Sequence, residues 1–138
     1  ADEEGEGLFN GVTEMIGRHE QQGWLLGIAT GKSDRGVALC LDHHRLAHRF
    51  ATVQTADRHP SKPHPSMAEQ AMADAGAAPE TTVVIGDTSY DMAMARAAGA
   101  HALGAGWGYH PPDQLTRAGA HGVAARPLDI LSLMKALA

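Results

Sequence analysis

Three short segments of the sequence carry side chains that can bind a phosphate group or a metal ion. Thr30-Gly31-Lys32-Ser33 combines a hydroxyl, a glycine that lets backbone N–H groups turn outward and an expected helix start, which together suit a phosphate or a carboxylate. In Ser61-Lys62-Pro63-His64-Pro65, rigid proline turns hold a lysine as a fixed positive charge for an anionic substrate. Asp87 and Asp91 stand four residues apart after an apolar run, so both carboxylates can face one point. Two carboxylates in this arrangement suit a Mg²⁺ ion, which takes carboxylate oxygens as ligands.

Each segment also has a structural interpretation, and the residues alone leave it open. A Thr-Gly turn with a serine cap is a common structural device, and Lys62 can be a solvated loop lysine. Asp91 can simply complement the dipole of the helix that it begins. His110, further along the chain, can touch a substrate or only cover the site.

Alternating strands and helices position these segments, because ligands of open α/β sheets bind beyond the carboxyl ends of the strands. The sequence predicts strands at 24–30, 50–53, 81–86, 100–103 and 122–125, of which 81–86 has the pattern of a strand covered on both faces. It predicts helices at 12–23, 33–44, 65–75, 89–98, 112–117 and after Pro127, the last with Leu128, Leu131, Met134 and Leu137 on one face. The fold class is therefore α/β, a three-layer Rossmann-like and mostly parallel sheet with helices on both faces.

Length and composition limit the protein's organisation and its partners. The 138 residues fit one core, and we expect a flexible acidic lead-in at 1–7 followed by a folded domain at 8–138. A net charge of −5 with scattered Lys and Arg argues against a nucleic-acid partner. No apolar run reaches the length of a membrane span, and Cys40 is the single cysteine, so we expect a cytoplasmic protein without a membrane partner.

Taken together, the three segments resemble the second, third and fourth motifs of the haloacid dehalogenase superfamily, over roughly residues 8–137. Residues 91–100 and 106–110 resemble the phosphoglycolate phosphatase-like branch. The resemblance implies a Mg²⁺-dependent phosphomonoester hydrolase that acts on a small phosphorylated substrate. In it, Lys62, Thr30 and Asp87 are catalytic, Thr30, Gly31 and Lys62 bind phosphate, and Asp87 and Asp91 hold Mg²⁺.

The sequence departs from the superfamily in its first motif, an Asp-x-Asp pair that supplies the nucleophile. The chain has nine aspartates, and no two of them stand two positions apart. We therefore expect a partial, truncated haloacid dehalogenase-like core that lacks the nucleophile strand and the cap and is inactive alone. The alternative is a non-catalytic domain that binds phosphate and Mg²⁺ or has a regulatory role.

In the superfamily, the absent strand lies between the strand that ends at Thr30 and the strand that ends at Gly86. Its absence leaves two strand edges to pair directly with each other, with a missing amino-terminal segment or with another copy of the chain.

Overall fold

The structure is a computed structural model that describes residues 12–43, 45–46 and 48–137. The expected lead-in 1–7 and residue 44, the end of the second predicted helix, lie outside the described residues. Within those ranges the helices are α1 (Val12–Gln21), α2 (Asp34–His43), α3 (Ser66–Ala75), α4 (Ser89–Ala97), α5 (Pro112–Arg117) and α6 (Asp129–Leu137). The strands are β1 (Gly27–Ala29), β2 (Thr52–Gln54), β3 (Val83–Gly86), β4 (His101–Ala105) and β5 (Gly122–Ala124), with a 3₁₀ turn at Pro79–Thr81. The predicted α/β alternation is confirmed.

The strands form two separate parallel sheets in the described part of the chain. In the small sheet β1 pairs with β2, with Ile28 opposite Val53. In the large sheet β4 lies between β3 and β5 and pairs in parallel with both. Direct pairing of β1 with β3, one of the outcomes expected for the gap, does not occur among these strands.

Helices cover both faces of the large sheet, as predicted. Ala102 packs against α4 and α5, whereas the next residue, Leu103, packs against α6, because successive side chains of a strand point to opposite faces. Both side chains are essentially inaccessible to solvent. The large sheet is therefore the middle layer of a three-layer arrangement.

The described residues contain no helix of the length and apolar character that a bilayer crossing needs.

The predicted apolar face of helix α6 is partly confirmed. Ile130 and Met134 are its buried residues, with Leu133 and Leu137 packed against the same cluster, so Met134 and Leu137 lie in the core as predicted. Leu128, which the prediction placed on the same face, precedes the helix and is 38% exposed. The prediction is wrong for Leu128 because it started the helix at Pro127, whereas the helix begins two residues later.

A second cluster connects the two sheets. Met67 and Ala68 of α3 pack against Met94 of α4, and Ala29 of β1 and Val84 of β3 pack against this cluster. These contacts of α3 and α4 with both strands hold the sheets together, although no hydrogen bonds join β1 to β3. The arrangement leaves an opening between the two strand edges.

That opening is a groove of about 470 Å³ between β1 and β3. Its lining is mostly apolar and comes from both strands and from α3 and α4. Leu25 and Ile85, which both line the groove, are 67% and 37% exposed. The prediction that the 81–86 strand is covered on both faces is confirmed for Val83 and Val84, which pack in the clusters of Leu103 and Ala102, whereas Ile85 is partly exposed at the groove.

Candidate functional site

Asp87 directly follows β3, at the carboxyl edge of the large sheet. Its Oδ2 accepts a hydrogen bond from the backbone N–H of Tyr109 at 3.1 Å, and its carbonyl oxygen accepts one from the N–H of His110 at 2.9 Å. A Cβ atom at Gly108 would collide with the Asp87 side chain, so only glycine permits this close approach. The 106–110 loop thus fixes one oxygen of Asp87, while Oδ1 has no hydrogen-bond donor among the described residues.

Asp91 begins helix α4 in a capping box with Thr88. The hydroxyl and the backbone N–H of Thr88 both donate to Asp91 Oδ2, at 2.9 and 3.2 Å, and the N–H of Asp91 donates back to Thr88 Oγ1. A Cβ at Gly86 would collide with the Asp91 side chain, which places this carboxylate against the last residue of β3. The helix-start role that the sequence left open for Asp91 is therefore present in the structure.

The other oxygen of Asp91 binds Lys62. The Lys62 ammonium donates to Asp91 Oδ1 at 2.6 Å, and the two side chains are only 19% and 9% exposed. Lys62 is therefore not a solvated loop lysine. Its position brings the second and third of the chemically notable segments together, because the loop before α3 contacts the start of α4.

Thr30 and its neighbours form a closed turn after β1. The N–H of Lys32 donates to Thr30 Oγ1 at 3.2 Å, and the N–H of Gly36 donates to Ser33 Oγ at 3.1 Å, which confirms Ser33 as the cap of α2. Asp34 accepts hydrogen bonds from Thr55 and Arg58, and these bonds, that of Thr55 first, lower the pKa of the Asp34 carboxyl. The turn is therefore anchored to the end of β2.

Thr30 and Asp87 follow strands of different sheets. Thr30 directly follows β1 and Asp87 directly follows β3, and the groove lies between these two strands. Within the described residues, no hydrogen bond joins the Thr30 turn to Lys62, Asp87 or Asp91. The structure therefore joins Lys62 to Asp91 but does not join the Thr30 turn to them by a hydrogen bond among the described residues.

The carboxylate oxygens that remain available suit a Mg²⁺ ion at Asp87 better than at Asp91. Asp87 Oδ1 is available as a hard oxygen ligand, whereas both oxygens of Asp91 already accept hydrogen bonds from Lys62 and Thr88. No cluster of three or more His, Cys, Asp or Glu side chains suited to a metal occurs in the described ranges. A metal at Asp87 would thus need further oxygen ligands from water, from a phosphate group or from another segment.

Two features of the site were not predicted from the sequence. The Thr88 cap follows a recognisable pattern, a threonine three residues before an acidic residue, and that signal was available. His110 accepts a hydrogen bond from the N–H of Ser89 on Nδ1 at 2.9 Å, which joins the 106–110 loop to the start of α4. No local spacing signals this contact, because the two residues lie 21 positions apart.

Comparison with known proteins gives three results. The model of the family described as haloacid dehalogenase-like hydrolase matches residues 3–105. A protein named "Probable phosphatase IndB" from Dickeya dadantii is 41% identical over 113 residues, which are 80% of this chain and 49% of the relative. A phosphoglycolate phosphatase from Escherichia coli is 33% identical over 109 residues, which are 78% of this chain and 43% of that protein.

Solved structures agree with this result. A hydrolase from Pseudomonas syringae superposes with a TM-score of 0.83 at 28% identity, covering 94% of this chain and 63% of that one. The chain spans about half the length of the curated relatives it matches. Since the family model matches most of the chain, this protein belongs to the haloacid dehalogenase-like hydrolase family.

Proposed function

We propose that this chain is the phosphate- and metal-binding part of a Mg²⁺-dependent phosphomonoester hydrolase of the phosphoglycolate phosphatase type, acting on small phosphorylated metabolites. The observation that carries the proposal is the contact of the Lys62 ammonium with Asp91, whose side chain lies against Gly86 at the end of β3, the residue that Asp87 directly follows. A cation and a carboxylate at one strand end suit a phosphate group that is bound together with a metal. The phosphatase names of the relatives support the same reaction class.

Each side chain has a defined task in this proposal. Lys62 binds the phosphate oxygens and neutralises the charge that develops on them, and Asp91 holds the ammonium in place. Thr30 and the N–H groups at Gly31 bind the same phosphate from the opposite side of the groove. Asp87 Oδ1 would hold Mg²⁺, which supplies charge neutralisation between carboxylates and phosphate when bound.

The nucleophile belongs to a further segment in this proposal. No Asp-x-Asp pair occurs among the nine aspartates, and phosphoryl transfer of this type needs a nucleophile in line with the phosphate. The proposal therefore makes the chain inactive alone. In this proposal the further segment also supplies oxygen ligands to the metal, because the Asp91 carboxylate is already bound to Lys62.

The groove is the place that we propose for this segment. It has a mostly apolar lining and lies between β1 and β3, which do not pair with each other in the described residues, so an extended apolar segment can add as a strand between them. A carboxylate at its carboxyl end would reach the level of Thr30 and Asp87, close to the positive charge of Lys62. We commit to a segment from the half of such a hydrolase that this chain does not match, with a second copy of the chain as an outcome to be tested.

The experiment measures release of inorganic phosphate from an aryl phosphate with Mg²⁺, for this chain alone and after co-expression with a segment that carries an apolar strand ending in Asp-x-Asp. Activity only in the mixture, lost in Asp87→Asn and retained in Asp113→Asn, is the expected result; Asp113 is an exposed aspartate that pairs with Arg117. Activity of the chain alone that Asp87→Asn abolishes would assign the nucleophile to another residue of this chain. No release of phosphate in either sample would favour a non-catalytic phosphate-binding or regulatory domain.

The mass of the chain in solution, measured by light scattering, separates the two occupants of the groove. A monomer that becomes a one-to-one complex with the added segment supports strand addition. A stable dimer without the segment would assign the groove to a second copy.

A further inference from the structure

The loop that carries Lys62 is poor in backbone hydrogen bonds. Three of its eight residues at 59–66 are prolines, which have no N–H to donate. Inside the loop, the N–H of His64 donates to the carbonyl oxygen of Ser61 at 3.1 Å, and the N–H of Ser66 donates to His64 Nδ1 at 3.1 Å. These bonds leave the position of the loop relative to β2 to be fixed by side chains.

His59 closes the loop and connects it to the small sheet. Its Nδ1 lies 2.6 Å from Ser66 Oγ, at the first residue of α3, and its Nε2 lies 2.7 Å from Oε1 of Gln54 in β2. Gln54 is buried, with 4% of its surface exposed. The two ends of the loop are therefore joined through one imidazole ring that is itself bound to a buried strand residue.

The hydrogen-bond directions in this network follow from Asp74. Its Oδ2 accepts from Thr52 Oγ1 at 2.9 Å and from Gln54 Nε2 at 2.8 Å, and its Oδ1 accepts from Gln70 Nε2 at 2.8 Å. These bonds, with that of Gln70 as the largest cause, hold the pKa of Asp74 below its usual value, so the carboxylate is ionised and can only accept.

The orientation of Gln54 in turn selects the tautomer of a neutral His59 ring. Because the amide nitrogen of Gln54 faces Asp74, its Oε1 must face His59. Nε2 of a neutral His59 then carries the proton, and Nδ1 accepts from the hydroxyl of Ser66. Gln54 Nε2 also donates to Thr52 Oγ1 at 2.8 Å, so its amide nitrogen has acceptors only on the side away from His59, which gives the loop one preferred geometry.

We propose that His59 is a positioning residue that holds the Lys62 ammonium at the phosphate site, through Gln54 on one side and Ser66 on the other. Lys62 lies midway between His59 and Ser66 in the loop and reaches Asp91 Oδ1 at 2.6 Å, so a shift of the loop ends moves the ammonium directly. A network of this kind orients a functional group in the way that outer hydrogen bonds orient metal ligands. The inference deepens the proposed function and rests on it for the role of Lys62 in binding phosphate.

The first test measures the order of the loop and needs no ligand. In ¹⁵N relaxation and histidine ¹⁵N spectra, His59 should show a protonated Nε2 and an unprotonated Nδ1, and the backbone amide of Lys62 should be rigid. His59→Phe removes both hydrogen bonds and keeps a ring of similar size, so the Lys62 amide should become mobile. His59→Gln supplies one donor and one acceptor and should restore much of the order, while His48→Phe, at an exposed histidine outside the loop, should change nothing.

The second test measures, by calorimetry, the affinity for inorganic phosphate with Mg²⁺ of the complex between this chain and the added Asp-x-Asp segment. Relative to the unsubstituted complex, His59→Phe should weaken binding about tenfold, His59→Gln should weaken it less than about threefold, and His48→Phe should leave it unchanged. Unchanged Lys62 order and unchanged phosphate affinity in folded His59→Phe would overturn the positioning role. If the unsubstituted complex binds no phosphate while His59→Phe still loosens Lys62, the proposed function fails and the positioning of Lys62 stands.

Discussion

The two sheets of this molecule are stabilised by different kinds of contact. The large sheet buries Ala102, Leu103 and Ala105 of β4 between apolar helices, whereas the small sheet buries Thr52 and Gln54 of β2 against Asp74. Apolar packing tolerates small shifts, while a fully satisfied polar network specifies direction as well as distance. The apolar contacts of the large sheet mainly stabilise the fold. The polar contacts of the small sheet, called here the polar sheet, fix the positions of side chains beside the Lys62 loop.

The largest expected effect lies in the apolar sheet. Leu103→Ala should reduce the free energy of unfolding by about 2 to 5 kcal/mol, because the side chain is 1% exposed and its removal leaves a cavity against Ile130 and Met134. Urea unfolding followed by circular dichroism measures this change. Leu39→Ala is the matched control, since Leu39 is 61% exposed and should cost less than about 0.5 kcal/mol. Equal losses in the two variants would contradict the assignment of the core to the large sheet.

The next effect tests the ion pair that joins the two regions. Lys62→Met should cost up to about 3 kcal/mol of unfolding free energy, because it leaves the carboxylate of Asp91 buried without its cation. Adding Asp91→Asn should recover part of this loss, since the amide oxygen can still accept from Thr88 and no charge remains buried. A double-mutant cycle in urea measures the coupling, and additive losses would show that the pair contributes nothing to stability.

The polar sheet should lose more stability when side-chain hydrogen bonds are removed than when apolar volume is removed. Gln54→Leu keeps the approximate size of the side chain and removes both hydrogen-bonding atoms, so Asp74 and His59 each lose a partner. The expected cost is about 1 to 3 kcal/mol. Val53→Ala, on the neighbouring and only half-buried position of the same strand, removes apolar volume instead and is the comparison. A larger loss from Val53→Ala than from Gln54→Leu would remove the distinction between the sheets.

The same contrast explains what the sequence could and could not predict. Apolar periodicity located most elements of the fold, such as β3 from its Val-Val-Ile run and α5 at Pro112–Arg117. It wrongly placed Leu128 on the apolar face of α6, because Pro127 was taken as the helix start. The split into two sheets depends on which strands pair, and a pattern read along one chain segment does not contain that information.

The candidate site shows a similar division. Asp87, Asp91 and Lys62 stand out by residue type and by their place after strands or before a helix, and the structure brings Lys62 to Asp91. The support for Lys62 could not be predicted, since Gln54, His59 and Ser66 meet only through the packing of α3 on β2. Polar residues in such networks follow no period, so they look like ordinary loop and surface residues in the sequence.

The smallest effect is a pH dependence that belongs to the polar sheet. Hydrogen bonds from Gln70 and then from Thr52 lower the pKa of Asp74 in the folded chain, so the unfolded chain takes up the proton first as the pH falls. The stability contributed by this carboxylate is therefore present above about pH 4, the usual range of an aspartate, and is lost as the pH falls through its lower folded value. The urea midpoint should accordingly fall less between about pH 5 and pH 3 in Asp74→Asn than in the unsubstituted chain. The lowered pKa values of Asp34 and Glu20 act equally in both proteins, so the difference between the two slopes isolates Asp74, and identical slopes would mean that its hydrogen bonds do not favour the ionised form.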